Sequence, residues 1–293
     1  MQEVDGEGNP EGVAEGKVRD KLQEAAERLA HLATGRRDAE LLLLRAVERN
    51  RAWLLAHPEA ELTAEHAERF GAWLARRERA EPVQYILGEA EFYGLTFRVT
   101  PAVLIPRPET EHLVEETLRR VGSDAAVRIC DVGTGSGAIA IALANARPRA
   151  EITAVDLSSA ALVVARENAE RHGVMERMRF LESDLLNAVK RESFDFVVAN
   201  PPYVAEGEEL EPQVRDWEPH AALFAGPSGL DIYGRLIPQA WDALVPGGWL
   251  LLEIGHGQRE ALAQLLAGWD AVEFVADLQG IARVAIARRG SGE

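Results

Sequence analysis

The chain beyond residue 105 alternates short apolar runs with longer segments whose apolar residues recur at helical spacing. Short, nearly continuous apolar runs are typical of buried parallel strands, and the segments between them are typical of crossover helices. The runs lie at 127–132, 152–155, 178–181, 194–199, 249–254, 272–276 and 282–287. Helical spacing lies between them at 138–145, 160–171, 232–244 and 259–269. The pattern predicts an α/β fold with a seven-stranded sheet.

The last two runs are joined only by a segment near 277–280. This segment is too short for a crossover helix, so the two strands it joins are expected to pair in antiparallel fashion. The expected sheet is therefore parallel over most of its width and ends in an antiparallel hairpin.

A different pattern precedes the sheet. From Val18 onward the apolar residues keep helical spacing as far as Pro82, where a proline favours the end of a helix. Aromatic and β-branched residues then alternate, with Gly88 and Gly94 as turn signals, which predicts a β-hairpin. The expected divisions are a flexible tail at 1–16, a helical domain at 17–82, a hairpin linker at 83–104 and a sheet domain at 105–289.

The composition of the chain disfavours some classes of function but does not decide among the others. The 293-residue chain has a formal net charge of −16, which disfavours tight nonspecific binding to nucleic acid, although acidity also serves solubility. No run approaches the roughly 20 apolar residues of a membrane span, and the N-terminus lacks the parts of a signal peptide. The only cysteine, Cys130, lies in an apolar run, where a buried thiol is expected. A cytoplasmic protein with a protein or small-molecule substrate is the expectation.

The motif Asp131-Val-Gly-Thr-Gly-Ser-Gly137 stands between a predicted strand and a predicted helix. Glycines there let the backbone approach a ligand at the carboxyl ends of the strands. Asp156 ends the next strand, where a carboxylate accepts hydrogen bonds from the ribose of an adenosine. The spacing also fits a nicotinamide fingerprint, so a dehydrogenase stays open at this point. Asp131 favours S-adenosylmethionine, whose sulfonium and ammonium are cations, whereas a pyrophosphate would be repelled.

The motif Asn200-Pro-Pro-Tyr203, the tetrad, directly follows the apolar run at 194–199 and is the most specific signal in the chain. Pro201 and Pro202 have no N–H to give to a strand ladder, so the chain leaves the sheet here with its carbonyl groups free. The alternative interpretation is a strand terminator with Asn200 as a turn former. Because the tetrad and the glycines follow strands of the same sheet, the tetrad is predicted to be catalytic.

The tetrad suits one chemical problem. An amide nitrogen is a poor nucleophile, because resonance delocalises its lone pair into the carbonyl. If the Asn200 side-chain oxygen and the Pro201 carbonyl each accept one N–H, they favour the positive charge that develops during methyl transfer. Tyr203 is expected to pack over the amide plane. The prediction is methylation of a side-chain amide nitrogen.

Other candidates carry weaker signals. Asp184 is expected to accept from the adenine amine and Leu185 to cover the ring edge, with a capping turn as the alternative. Arg107 belongs to a rigid segment before a helix, for which Thr110 is a candidate N-cap, and a ligand contact is an equal alternative. His256 is expected to be a loop histidine rather than a base. The spacing of His, Cys, Asp and Glu predicts no metal site.

From about residue 18 onward, the chain resembles the release-factor glutamine methyltransferase family, often called HemK-type. The matching segments, in order, are Gln84-Tyr-Ile-Leu-Gly88, Phe92-Tyr-Gly94, Leu104-Ile-Pro-Arg-Pro-Glu-Thr-Glu111, the glycine motif, the tetrad, Glu218-Pro219 with Ala222-Leu223, and Gly229-Leu-Asp231. The resemblance implies a Rossmann-like, seven-stranded class I methyltransferase domain with a small N-terminal helical bundle that helps bind the protein substrate. It also implies that substrate, the glutamine of the Gly-Gly-Gln motif in peptide chain release factors.

The resemblance assigns the tetrad to the glutamine amide and the residues at 133–137 to S-adenosylmethionine. Many relatives carry an aromatic residue where Leu185 stands, so an aliphatic face is expected against the adenine here. The full set expected to bind the cofactor is Asp131, Gly133, Thr134, Gly135, Ser136, Gly137, Asp156, Asp184, Leu185 and Asn200.

Several alternatives remain at this point. A nucleic-acid adenine-N6 methyltransferase uses the same acceptor logic but has to extract a base, and the net charge of −16 disfavours it. A ribosomal-protein glutamine methyltransferase, a noncatalytic cofactor-binding regulator and a nicotinamide-dependent reductase are the others. The expected partner is a release factor, without nucleic acid or membrane, and the oligomeric state is left open with a monomer as the default.

Overall fold

The computed structural model describes residues 16–291, which fall into two compact units divided between Leu87 and Gly88. Apart from Gly16, the predicted tail lies outside the described residues. None of the helices within this range is long and apolar enough to cross a membrane.

The first unit, as far as it is described, is a bundle of five helices. They are α1 (Val18–Arg28), α2 (Gly35–Ala46), α3 (Arg51–Ala56), α4 (Ala64–Arg77) and α5 (Val83–Leu87). Their apolar faces meet in a core that includes Leu29, Leu43 and Phe70, all of them buried. Asn50 and Thr63 cap α3 and α4, because each side chain accepts a backbone N–H of the first turn.

The α5 helix corrects the prediction of a hairpin linker from residue 83. The backbone N–H of Ile86 donates to the carbonyl of Pro82, and proline suits the start of a helix. At the other end, the guanidinium of Arg76 donates to the carbonyls of Tyr85 and Ile86. An arginine from α4 thus satisfies carbonyl groups at the helix end, a contact between neighbouring helices that the aromatic pattern of this segment does not reveal.

The predicted hairpin is present later, within the second unit. Strands β1 (Glu89–Phe92) and β2 (Leu95–Arg98) pair antiparallel through a turn in which Gly94 has a φ of 71°. The amide of Asn168, which is fully buried, accepts the backbone N–H of Arg98 and donates to the carbonyls of Arg98 and Ser136. One asparagine therefore ties the hairpin to the glycine motif.

The rest of the second unit contains seven strands in one sheet within the described range. The strands are β3 (Arg128–Val132), β4 (Glu151–Asp156), β5 (Met178–Glu182), β6 (Phe194–Ala199), β7 (Leu244–Glu253), β8 (Asp270–Ala276) and β9 (Ala282–Arg288). The helices are α6 (Glu111–Arg120), α7 (Ala138–Ala146), α8 (Ser159–Arg171), α9 (Pro212–Arg215), α10 (Asp231–Ala243) and α11 (Arg259–Leu265). All seven predicted strands are present, and β6 has the predicted bounds.

The order of the strands is β5-β4-β3-β6-β7-β9-β8. Strands β3 to β7 pair parallel, whereas β9 pairs antiparallel with both β7 and β8, which confirms the predicted sheet. Successive strand residues face opposite sides, so Ile129 and Cys130 belong to different apolar clusters, one on each face. Because both faces are covered, the ligand-accessible edge is the one where the parallel strands end.

Candidate active site

A cavity of about 370 Å³ lies at the carboxyl ends of β3, β4, β5 and β6. Its lining includes most of the predicted site, namely Gly133, Thr134, Gly135, Ser136, Asp156, Asp184, Leu185, Asn200, Pro201 and Pro202. Three predicted residues, Asp131, Gly137 and Tyr203, do not line it. The parallel topology explains the convergence, since the glycine motif, Asp156 and the tetrad each follow the end of a strand.

The glycine loop, residues 133–137, forms one wall of the cavity. Gly133 and Gly135 have φ values of 73° and 54°, in the left-handed region that favours glycine. A Cβ built on either residue meets no heavy atom within 4 Å, so the space in front of the loop is open to a ligand. Gly137 differs, because a Cβ there would lie 2.9 Å from Cδ1 of Ile141. Gly137 therefore serves close packing between the loop and the protein rather than ligand contact.

Asp156 closes the loop from the neighbouring strand. Its two carboxylate oxygens accept the backbone N–H groups of Gly135 and Ser158, each at 2.8 Å. Burial raises the pKa of Asp156, and these backbone hydrogen bonds oppose that rise. Each oxygen keeps acceptor capacity for a hydroxyl in the cavity, as the predicted ribose contact requires.

Asp131 lies under the loop instead of facing the cavity. The residue is fully buried, and its Oδ2 accepts the hydroxyl of Thr134 at 2.7 Å. Burial raises its pKa to about 7, while the Thr134 hydroxyl and the backbone N–H of Ala140 oppose that rise. The expected direct contact with the cofactor is thus replaced by support of Thr134, because the carboxylate occupies the interior of the strand end.

The far side of the cavity contains an ion pair that the sequence analysis missed. Arg235, on α10, donates to Oδ2 of Asp184, and both residues line the cavity together with Leu185. Leu185 adopts a φ of 52°, which turns the chain after β5. Asp184 therefore has one oxygen committed to arginine and one oxygen left for a ligand donor such as an adenine amine.

Asn200 presents its side chain between the cavity and the start of α6. Its Nδ2 donates to Oγ1 of Thr110 at 3.1 Å. Among residues 16–291, no hydrogen bond is made to the Oδ1 of Asn200 or to the carbonyl oxygen of Pro201. The predicted pair of acceptors is thus present and free of internal partners. Thr110 occupies the predicted N-cap position of α6, but its side chain accepts no backbone N–H of the first turn.

Glu253, the last residue of β7, lies behind the tetrad and is only 2% exposed. Burial raises its pKa to about 7, while the nearby hydroxyls of Thr110 and Tyr203 oppose that rise. Its backbone carbonyl accepts the hydroxyl of Tyr233 at 2.7 Å. A buried carboxylate that accepts a tyrosine hydroxyl at a strand end is a candidate for a supporting role in the site.

Tyr203 faces Glu253 rather than the cavity. Its hydroxyl donates to Oε1 of Glu253 at 3.4 Å, and burial raises the pKa of the phenol. Its ring lies against Gly255, where a Cβ would come within 3.0 Å of Cδ2 of the tyrosine. Gln258 donates to the Tyr203 carbonyl at 3.0 Å. The expected packing of Tyr203 over a substrate amide is therefore replaced by anchoring of the tetrad from behind.

A second arginine closes the rim of the cavity. Arg107 lines the cavity and donates to Glu218, whose side chain is 1% exposed. The other oxygen of Glu218 accepts the backbone N–H of Ile105 at 3.2 Å. His256 is exposed and outside the lining, as expected for a loop histidine.

The charges of the cavity favour a cationic ligand. Its charged lining side chains are Arg107, Asp156, Asp184 and Arg235, and both arginines are paired with carboxylates. No arginine of the lining is left to neutralise a pyrophosphate, whereas Asp156 is not ion-paired within the described range. The open space before Gly133 and Gly135 and this charge pattern fit S-adenosylmethionine better than a dinucleotide.

Comparison with known proteins agrees with this geometry. The family models described as Methyltransferase small domain and PrmC N-terminal domain match residues 110–216 and 20–88. The release factor glutamine methyltransferase of Koribacter versatilis is 47% identical over 87% of this chain and 91% of its own length. That of Escherichia coli is 41% identical over 91% of this chain and 97% of its own length. The chain belongs to the release factor glutamine methyltransferase family.

Solved structures outside the release factor glutamine methyltransferase family share the fold. A methyltransferase from Pyrococcus furiosus has a TM-score of 0.50 at 19% identity and covers 68% of this chain and 91% of its own. A T. thermophilus 16S rRNA methyltransferase has a TM-score of 0.53 at 22% identity, over 69% of this chain and 49% of its own. The family match confirms the resemblance that the motifs indicated. It also shows that the chain is an S-adenosylmethionine-dependent methyltransferase.

Proposed function

We propose that this protein transfers a methyl group from S-adenosylmethionine to the side-chain amide nitrogen of the glutamine in the Gly-Gly-Gln motif of peptide chain release factors. The observation that carries the proposal is the pair of free oxygen acceptors on Asn200 and Pro201 at the cavity wall. Relatives named release factor glutamine methyltransferase, which match nearly the whole chain, support the choice of substrate.

The tetrad activates the amide by accepting its hydrogens. The Oδ1 of Asn200 takes one N–H of the glutamine amide and the Pro201 carbonyl takes the other, which fixes the plane of the NH₂ group. Both oxygens carry partial negative charge, so they stabilise the positive charge that grows on nitrogen as its lone pair leaves resonance with the carbonyl. The alkylated amide is acidic enough to lose its extra proton to water. No strong base is needed in this mechanism.

The residues assigned to the cofactor lie on the other side of the cavity. S-adenosylmethionine, when bound, supplies an electrophilic methyl carbon on a sulfonium. Asp156 is assigned to the ribose hydroxyls, and Asp184 with Leu185 to the adenine. The backbone of the glycine loop is assigned to the remaining part, because Gly133 and Gly135 leave open space in front of it. Positioning of two reactants in one cavity accounts for much of the expected acceleration.

The first unit, residues 17–82 in the predicted division, is assigned to binding the release factor, as the family resemblance implies. We place the reaction in the cytoplasm, where polypeptide release takes place. Cross-linking of the full chain to a release factor, followed by mass spectrometry, checks the assignment. Cross-links confined to residues after Gly88 contradict it.

Mass spectrometry of a release factor tests the proposed reaction. The purified protein, S-adenosylmethionine and the factor are incubated, and the peptide that contains Gly-Gly-Gln is expected to gain one methyl on the glutamine. A factor with alanine at this glutamine is the matched control and is expected to stay unmodified.

Two further substrates separate the rival activities. A ribosomal protein and an adenine-containing DNA are incubated in the same way. Methylation of either one, alongside an unmodified release factor, overturns the proposed substrate.

A further inference from the structure

We infer that Gln258 is a positioning residue for the reaction, because its side-chain amide holds the main chain of the tetrad at Tyr203. The inference rests on the proposed function and adds to it a residue that belongs neither to the tetrad nor to the lining of the cavity. Gln258 directly precedes α11 and lies 55 positions after Tyr203 in the chain.

The main chain of the tetrad has few hydrogen bonds of its own. Before the tetrad, Ala199 is still paired in the sheet, and after it the N–H of Val204 donates to a carbonyl group at 2.9 Å. Two of the four residues are prolines, which have no N–H to donate. Within residues 16–291, the bond from Gln258 to the Tyr203 carbonyl is the only hydrogen bond that reaches a main-chain atom of the tetrad.

The amide of Gln258 joins three segments of the chain. Its Nε2 donates to the carbonyl of Tyr203 at 3.0 Å and to that of Gly229 at 3.3 Å, and its Oε1 accepts the backbone N–H of Gly255 at 2.9 Å. An amide has two hydrogens to give and an oxygen to accept with, so these three partners fix its direction. The tetrad, the loop before α10 and the loop after β7 therefore meet at one side chain.

Two glycines make room for this contact. A Cβ on Gly229 would lie 2.3 Å from the carbonyl oxygen of Tyr203 and 3.0 Å from Nε2 of Gln258. A Cβ on Gly255 would lie 2.9 Å from Oε1 of Gln258 and 3.0 Å from Cδ2 of Tyr203. The packing thus gives a role to the sequence segment Gly229-Leu-Asp231, whose first residue lets the main chain approach the tetrad closely.

The contact matters for the two oxygen acceptors because the tetrad is stiff. Proline fixes its own φ, so a displacement at Tyr203 is passed back along the chain to the carbonyl of Pro201 and to Asn200. Both acceptors have to meet the two hydrogens of one amide group. A misplacement of about 1 Å in such an arrangement costs roughly a hundredfold in rate. Gln258 therefore acts on the substrate only through the tetrad.

Steady-state kinetics test the role of Gln258. Gln258→Glu keeps the shape of the side chain, but its carboxylate has no hydrogens for the two carbonyl groups and repels them. Its kcat is expected to fall at least about tenfold, while KM for the release factor and Kd for S-adenosylmethionine stay within about threefold. If this variant does not fold, Gln258→Met, which keeps the length without a charge or a donor, replaces it.

A matched control lies on the same helix. Gln264→Glu makes the same change of charge at an exposed position of α11 and is expected to keep the wild-type kcat. Wild-type kcat in Gln258→Glu, or an equal loss in Gln264→Glu, overturns the inference.

A second pair of variants displaces the Tyr203 carbonyl without changing Gln258. Gly229→Ala places a methyl group against that oxygen, and the same loss of kcat is expected. Gly280→Ala is the control, because Gly280 also has a positive φ but a Cβ there meets no heavy atom within 4 Å. Backbone strain is common to both variants, so the difference between them reports the displaced carbonyl. Equal kcat in the two variants contradicts the inference.

Nuclear magnetic resonance supplies a measurement that does not depend on the reaction. In ¹H–¹⁵N spectra, the side-chain NH₂ signals of Asn200 are identified by their loss in Asn200→Asp. These signals are expected to shift in Gln258→Glu and in Gly229→Ala, and to keep their positions in the two controls. Unshifted signals in both variants overturn the inference, whereas a release factor left unmethylated by the wild type contradicts only the proposed function.

Discussion

The Oδ2 of Asp156 accepts the backbone N–H of Gly135 at 2.8 Å and so joins the end of β4 to the loop that follows β3. The carboxylate that is assigned to the ribose is thereby also the residue that shapes the glycine loop. Loss of Asp156 is expected to disturb both the ligand contact and the wall of the cavity, so its effect alone does not separate the two roles.

The first prediction concerns Asn200. Asn200→Ala is expected to lower kcat by roughly a hundredfold or more, because one preorganised acceptor is lost, while Kd for the cofactor changes little. Steady-state kinetics and calorimetry measure the two quantities. An equal loss of cofactor binding would instead favour the cofactor contact that the sequence also predicts for Asn200.

The second prediction concerns the glycine loop. Gly135→Ala places a methyl group in the cavity and strains a φ of 54°, so the affinity for S-adenosylmethionine is expected to fall at least about tenfold. Gly173→Ala is the matched control, since Gly173 also has a positive φ and open space but lies outside the cavity. Calorimetry of both variants checks this, and equal affinities contradict the assignment of the loop.

The third prediction concerns pH. Burial raises the pKa of Asp131 from 3.8 to about 7, so between these values the folded protein binds more protons than the unfolded chain. The stability that this group contributes is therefore present at low pH and is lost as the pH rises toward about 7. Asp131→Asn is expected to flatten this decline in the free energy of unfolding. Denaturant titrations from about pH 5 to about pH 8 compare the two proteins, and parallel curves contradict the prediction.

The stability contributed by Glu253 also falls as the pH rises, since burial raises its pKa from 4.5 to about 7. The charged and titratable groups that act on it or on its tyrosine partners include Glu109, Arg283, Tyr203 and Tyr233. Activity is expected to rise with pH through about 7, because ionised Glu253 accepts the Tyr203 hydroxyl that anchors the tetrad. In Glu253→Gln this limb of the pH profile of kcat is expected to vanish, and its persistence would assign the limb to another group.

The fourth prediction concerns the helical unit. Arg77 is 2% exposed and donates to Asp38 at 2.7 Å and to the carbonyl of Glu81 at 3.0 Å. Asp38→Ala leaves a buried guanidinium without its carboxylate and is expected to destabilise the unit by about 3 to 5 kcal/mol. Asp20→Ala, in an exposed pair with Arg19, is the control, and its effect is expected to be much smaller because solvent screens the pair. Chemical denaturation measures both, and similar small effects contradict the prediction.

Much of the fold was predictable from local pattern. The apolar runs predicted all seven strands of the sheet, and the short segment near 277–280 predicted the antiparallel hairpin. The segment at 83–87 was misassigned, because its aromatic residues suit a strand while Arg76 and Pro82 stabilise a helix. Contacts of this kind override the local secondary-structure propensity of a segment.

The same distinction between local pattern and tertiary contact explains which residues of the site could be predicted. Residues inside motifs that follow strands, such as Gly135, Asp156 and Asn200, were placed correctly at the cavity. Thr110, Gln258 and Arg235 were not foreseen in their observed contacts, because each acts on a residue more than 50 positions away. Glu253 had a usable signal, since a carboxylate inside an apolar run at a strand end has to be buried or partnered.

The position of β9 between β7 and β8 has a consequence for synthesis of the chain. Glu253 pairs with Val284, so the strand that carries the buried carboxylate keeps an open edge until residues 282–288 have been made and inserted. Strands made early in the chain can pair first, but the buried environment of Glu253 is complete only after residues 282–288 have left the ribosome.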